Sequence, residues 1–131
     1  MKIVFDTNVL ISGFLTTAGP SEHTLKQAFK KHTVILSGYI LLEFEKTLTQ
    51  KLKVPVDLAK RAKEFLRKRA LTIEVARNPE IRFSDRKDIP ILNLIWASKP
   101  HYFVTGDKRL LAMKKLGPTL FLSPREAMEL L

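Results

Sequence analysis

The 131-residue sequence contains no cysteine, which excludes disulfide frameworks, cysteine-ligated zinc and thiol nucleophiles. Glycine and proline are scarce, at five and seven, too few for a collagen-like repeat or a low-complexity linker. No apolar run approaches the ~20 residues of a spanning helix, so no membrane association is expected. The opening stretch MKIVFDTNVLISGFL resembles a secretory leader, but Asp6 and Asn8 stand where an uninterrupted apolar region belongs. No export signal is expected, and the chain is placed in the cytoplasm. GxGxxG, P-loop and GxSxG patterns are also missing, so dinucleotide, nucleotide and serine-hydrolase chemistry find no support.

What is present is positive charge. Lys and Arg number 23 against 13 Asp and Glu, a formal net charge of +10. Such a surplus attracts polyanions, chiefly nucleic acid. Hydrophobic residues make up 45% and charged residues 27%, a balance suited to one folded domain spanning residues 1–131.

Short apolar segments alternate with helical patterns. Lys2–Phe5, Thr33–Leu36, Leu71–Val75, Tyr102–Thr105 and Thr119–Leu122 read as five strands. Between them, helices are expected over Val9–Leu15, from Ser21 onward, over Ile40–Leu52, after Asp57, and from Pro90 through Trp96. A brief helix covers Leu110 to Met113 and stops at Gly117-Pro118. Ser123-Pro124-Arg125-Glu126 is a capping box that starts the last helix. Leu58, Ala62, Phe65 and Leu66 mark one buried stripe, and Trp96 joins Leu92 and Ile95 on another. Strands that are continuously apolar and separated by helices imply an α/β fold, a parallel sheet covered on both faces.

Ligands of such sheets gather at the carboxyl ends of the strands. Asp6 follows the first strand and Asp107 follows the fourth. Taken singly, Asp6 reads as a helix cap and Asp107 as a turn residue; their coincidence at one sheet edge points to function. Glu43 lies one turn into the third helix among apolar neighbours, facing the sheet edge. Glu45, about 200° farther round, faces solvent. Asp85 and Asp88 lie three residues apart; taken alone the pair reads as two caps that compensate the helix dipole, the alternative being one cap with the other acid reaching into the site.

These residues carry a resemblance. Asp6-Thr7-Asn8 after an apolar strand, LLEFEKTL, DRKDIPIL and Val104-Thr105-Gly106-Asp107-Lys108-Arg109-Leu110-Leu111 together resemble the PIN domain family. Within it they resemble the toxin components of toxin–antitoxin systems, the VapC-like ribonucleases. The resemblance implies a three-layer α/β/α sandwich with a five-stranded parallel sheet in the order 3-2-1-4-5. It implies a metal-dependent ribonuclease whose catalytic and metal-binding acids are Asp6, Glu43, Asp88 and Asp107. Asn8 and Thr105 become supporting polar residues, with Asp85 an accessory acid or a cap. An RNA substrate, a protein antitoxin and a homodimer follow as expected partners, and Mg2+ or Mn2+ as cofactor. One departure is Asn93, where relatives often carry a small apolar residue.

The chemistry is coherent with that set. Hard divalent cations choose oxygen ligands, and two ions ~4 Å apart serve an in-line displacement at phosphorus. Without metal the clustered carboxylates repel, and some hold protons. Lys108 and Arg109 adjoin Asp107 and are placed to contact phosphate. The six cations Lys60, Arg61, Lys63, Arg67, Lys68 and Arg69 read equally as an RNA-binding or a solvated helix face. Phe83 reads as a loop anchor or a platform for a base. The alternative to a nuclease is a non-catalytic RNA- or protein-binding module that keeps the fold.

Overall fold

A computed structural model describes all 131 residues. The apolar segments expected as strands form β1 (Lys2–Phe5), β2 (Thr33–Leu36), β3 (Leu71–Thr72), β4 (Tyr102–Val104) and β6 (Thr119–Leu122). An additional strand, β5 (Lys115–Leu116), precedes β6. The sheet order is β3-β2-β1-β4-β6-β5. The five expected strands are all parallel and keep the anticipated order, with β6 in the fifth place. The sixth strand pairs antiparallel with β6, Leu116 opposite Thr119. Gly117-Pro118 is thus the turn of a hairpin. Gly117 adopts φ +57°, a conformation glycine takes without strain, and the same two residues would also have served to stop a helix. β3 has two residues, not five; the Ile73 amide still donates to the Leu36 carbonyl at 2.8 Å, and the chain leaves the sheet beyond it.

Helices α1 (Thr7–Leu15), α2 (Pro20–Lys31), α3 (Gly38–Lys46), α4 (Val56–Arg69), α5 (Ile89–Ser98), α6 (Lys108–Leu111) and α7 (Pro124–Leu130) cover the sheet. The helix expected to run to Leu52 passes at Thr47–Lys51 into a π-helical turn. A 3-10 turn over Arg86–Asp88 leads into α5, whose second residue is Pro90. Ser37 caps α3 through its hydroxyl, which accepts from the Ile40 amide at 3.2 Å. At α7 both halves of the capping box form, Ser123 with Glu126.

The core follows from the apolar strands. Ile3, Val4, Phe5, Val34, Ile35, Leu36, Phe103 and Val104 are buried, as sheet residues covered on both sides must be. Phe14, Phe44 and Phe65 pack edge to face, with centroids 5.5 and 5.6 Å apart. Three sequence expectations change here. Leu58 and Phe65 are exposed, because the inner side of α4 is set by Ala59 and Leu66. Trp96 is 41% exposed and lies against Gly117 instead of in the core. Glu45 does not point to solvent; it pairs with Lys63 of α4 at 3.0 Å.

In this order β1 sends its chain toward β2 on one side and has β4 on the other. The crevice of the sheet therefore opens beyond the carboxyl ends of β1 and β4. The Asp6 amide donates to the Val104 carbonyl at 2.9 Å, tying the two strand ends together.

Candidate functional site

Asp6 stands at the N-terminus of α1, yet its side chain makes no capping hydrogen bond. The buried hydroxyl of Thr105 donates to Asp6 Oδ2 at 2.7 Å and accepts from the Asp107 amide at 3.1 Å. One threonine thus fixes two acids on neighbouring strands. Burial raises the Asp6 carboxyl above its ordinary value; the Thr105 bond opposes that shift and the nearby Asp107 charge adds to it. Asp107 also caps α6, with Oδ1 accepting from the Arg109 amide at 2.8 Å.

Glu43 projects from α3. Tyr39, one turn earlier, places its hydroxyl 3.0 Å from Glu43 Oε1 and 3.0 Å from the Lys87 carbonyl. The phenol is pushed up to about 12, mainly by burial and then by the Glu43 carboxylate. Tyr39 thus connects α3 to the turn that carries Asp88.

Asp85 and Asp88 divide their tasks as spacing allows. Asp85 accepts from the Lys87 amide at 3.0 Å and caps the 3-10 turn. That bond and the Arg109 guanidinium hold its carboxyl below the ordinary value. Asp88 reaches inward instead, and its Oδ2 is buried with no hydrogen-bond partner. Burial first, then the charges of Asp6, Asp85 and Asp107, push it up to about 6.

Asp6, Glu43, Asp85, Asp88 and Asp107 line a single hollow of about 180 Å³, and Asn8 stands exposed at it. The set comes from four regions of chain that only the fold joins. Sequence reasoning did not single out Thr7, Tyr39, Thr47, Lys51 or Lys87, which share this lining. The one available signal was Tyr39 four residues before Glu43, on the same helical face. Lys108 is exposed and does not line the hollow. Arg109 turns toward the acids, 3.3 Å from Asp85 and 3.9 Å from Asp107. Its guanidinium also lies 6.0 Å from the ring of Phe83, a residue packed against the core. None of the three histidines reaches the hollow.

A larger hollow, of about 660 Å³, lies between α1, α2 and α4, with Phe14, Phe29 and Phe65 in its wall. It shares no residue with the acidic one.

The donor set suits a hard divalent cation: carboxylate oxygens, one of them buried and unsatisfied, with an acidic repulsion that a cation would relieve. As the side chains stand, no three acids or histidines are close enough to share one ion. Arg109 supplies part of the missing positive charge.

The PIN domain, as a sequence family, matches residues 2–109 of the chain. No curated protein matches it. Among solved structures, a chain in the crystal structure of VapBC2 from Rickettsia felis bound to a DNA fragment from their promoter is similar, with a TM-score of 0.72. The similarity covers 94% of this chain and 98% of that one, at 14% identity, and concerns the fold.

Proposed function

The chain belongs to the PIN domain family, and from that premise we propose that it is a ribonuclease. In this reading it hydrolyses RNA phosphodiester bonds with Mg2+ or Mn2+ and acts as the toxin of a toxin–antitoxin pair, restrained by a protein antitoxin. The observation that carries the proposal is the single hollow lined by Asp6, Glu43, Asp88 and Asp107, with Asp88 Oδ2 buried and unpaired. Likeness to a chain of the VapBC2 assembly supports the toxin assignment at the level of fold.

Asp6, Glu43, Asp88 and Asp107 would hold the cations. When bound, these ions supply the charge neutralisation that lets a water attack phosphorus and an oxygen depart in line. The chain's own contribution is positional. Thr105 holds Asp6 in one orientation, and Tyr39 holds Glu43. Lys51 and Lys87 in the lining offset the acids and draw the phosphate backbone in. Asn8 presents an amide to substrate at the mouth. Arg109, which pairs with Asp85 and Asp107, and the exposed Lys108 would be the cations that meet phosphate beside the acids.

The test is cleavage of end-labelled single-stranded RNA with Mn2+ or Mg2+, with EDTA, and with Asp6→Asn. The expected result is cutting that EDTA abolishes and that Asp6→Asn lowers by about 100-fold or more. Equal cutting in all three conditions overturns the proposal. Salt-sensitive RNA binding without any cutting would establish the binding-module alternative in its place. For the toxin role, expression should arrest growth, and co-expression of a cognate antitoxin should restore it; unhindered growth on expression overturns that role.

A further inference from the structure

A third hollow, of about 470 Å³, adjoins the acidic one, and Tyr39 lines both. Its walls combine Val75, Ile89 and Pro90 with the guanidinium groups of Arg77 and Arg86 and the carboxylate of Glu74. Neither arginine forms an ion pair within the chain. The space is ample for one nucleotide.

Glu74 is exposed and anchored through one oxygen. Its Oε1 accepts from the Gly38 amide at 2.8 Å. A Cβ at position 38 would come within 2.7 Å of that oxygen, so a glycine is what lets the carboxylate lie against the start of α3. Oε2 has no partner among the chain's hydrogen bonds and Oε1 keeps a second lone pair, so both oxygens can accept from a ligand. Asn93 fixes the opposite wall. Its Oδ1 accepts from the Asn78 amide at 2.7 Å, and its Nδ2 donates to the Ile89 carbonyl at 3.0 Å. The loop that carries Arg77 is thereby fastened to α5.

We propose that this hollow is a guanine-selective subsite for a nucleotide next to the scissile phosphate. A carboxylate accepts hydrogen bonds and offers none when ionised. Among RNA bases only guanine presents two adjacent donors, N1–H and the N2 amino group, on its Watson–Crick edge. Adenine and cytosine set an acceptor beside their single amino group, and uracil flanks its one donor with acceptors. Each of these three would point a lone pair at Glu74. Unpaired bases in single-stranded RNA are read through this edge and by stacking. Tyr39 and the apolar wall give the base a surface, and Arg77 and Arg86 meet its phosphates.

The inference rests on the nuclease reading, and its test separates the two. Binding of five-nucleotide RNAs that differ only in the central base, flanked by uridines, is measured on the full chain in EDTA, where cutting plays no part. Guanine should bind roughly tenfold or more tighter than adenine, with inosine, which lacks the N2 amino group, between them. Glu74→Gln should bring that ratio below about twofold, and Gly38→Ala, which displaces the carboxylate without altering charge, should do the same. The double variant Arg77→Ala/Arg86→Ala should weaken all sequences alike and keep the ratio. Four bases bound within twofold of one another, or a guanine preference that survives in folded Glu74→Gln and Gly38→Ala, overturns the subsite. Guanine preference in EDTA without cutting in Mn2+ keeps the subsite and refutes the nuclease. Cutting with no base preference in binding or cleavage does the reverse.

Discussion

Asp6 stands just before α1, and its carboxylate takes a hydrogen bond from Thr105 on the adjacent strand end. Replacing Thr105 by valine keeps the shape and removes both bonds. A buried carboxylate loses its donor and the Asp107 amide loses its acceptor, at about 1–3 kcal/mol of stability. Cleavage should fall about 10- to 100-fold, as when a group orienting a ligand is lost. Thr105→Ser should recover most of both; full activity in the valine variant would remove Thr105 from any positioning role. Asp88 gives a prediction in pH. Its carboxyl is raised to about 6 from an ordinary value of 3.8. Between those values the folded chain binds more protons than the unfolded one, so metal-free stability falls as pH rises through that window. Asp88→Asn should remove that contribution to the slope and raise the melting temperature in EDTA at neutral pH. Mn2+ should then stabilise the native chain more than the variant. A variant less stable than the native chain in EDTA at neutral pH would mean that Asp88 is satisfied in some other way.

At the scale of elements, most of the chain was readable because its signals are local. The capping box at Ser123 needs only Ser and Glu three residues apart, and it forms as read. Ser123→Ala should cost about 1 kcal/mol, a drop of roughly 3–6 °C in melting temperature. It should leave the cleavage rate unaltered, since α7 contributes no carboxylate to the acidic hollow; a change in rate would show that α7 shapes the site. The elements that were misread lacked such signals. β5 has two residues and depends on pairing with β6. The inner face of α4 turns on Ala59 in place of Leu58, a one-residue phase difference that periodicity cannot resolve when apolar residues are adjacent. Trp96 is apolar and correctly spaced, yet only packing against the β5–β6 turn decides how far it is covered.

For the whole molecule, the +10 charge and the acidic hollow are complementary features. Carboxylates repel the phosphate backbone, and the surrounding cations overcome that repulsion. The α4 cations contribute less than their number suggests: Lys63 is paired with Glu45, Arg67 with Glu64, and Arg69 stacks on Phe65. Lys51 and Lys87 lie in the lining itself. RNA affinity should therefore fall with salt, and Lys51→Ala/Lys87→Ala should flatten the log–log slope by about 0.7 for each single-strand phosphate left without its lysine. An unchanged slope in that variant would place the RNA path elsewhere on the surface.

The alternation of apolar strands and amphipathic helices determined the α/β class, since buried parallel strands need apolar residues on both faces. Local spacing also determined that Asp6 and Asp107 follow their strands, whereas it favoured Asp85 and Asp88 both as caps and only the structure turned Asp88 inward. What spacing could not determine is distance between segments remote in the chain. The tertiary structure decided that Glu43 and Asp88 meet Asp6 across one hollow and that Tyr39 bridges α3 to the turn before α5. It also decided that Arg109, expected to face RNA, turns toward Asp85 and Asp107. The physical reason is the same in each case. A side chain's direction follows from helix phase and strand register, and these are set by packing the whole core at once.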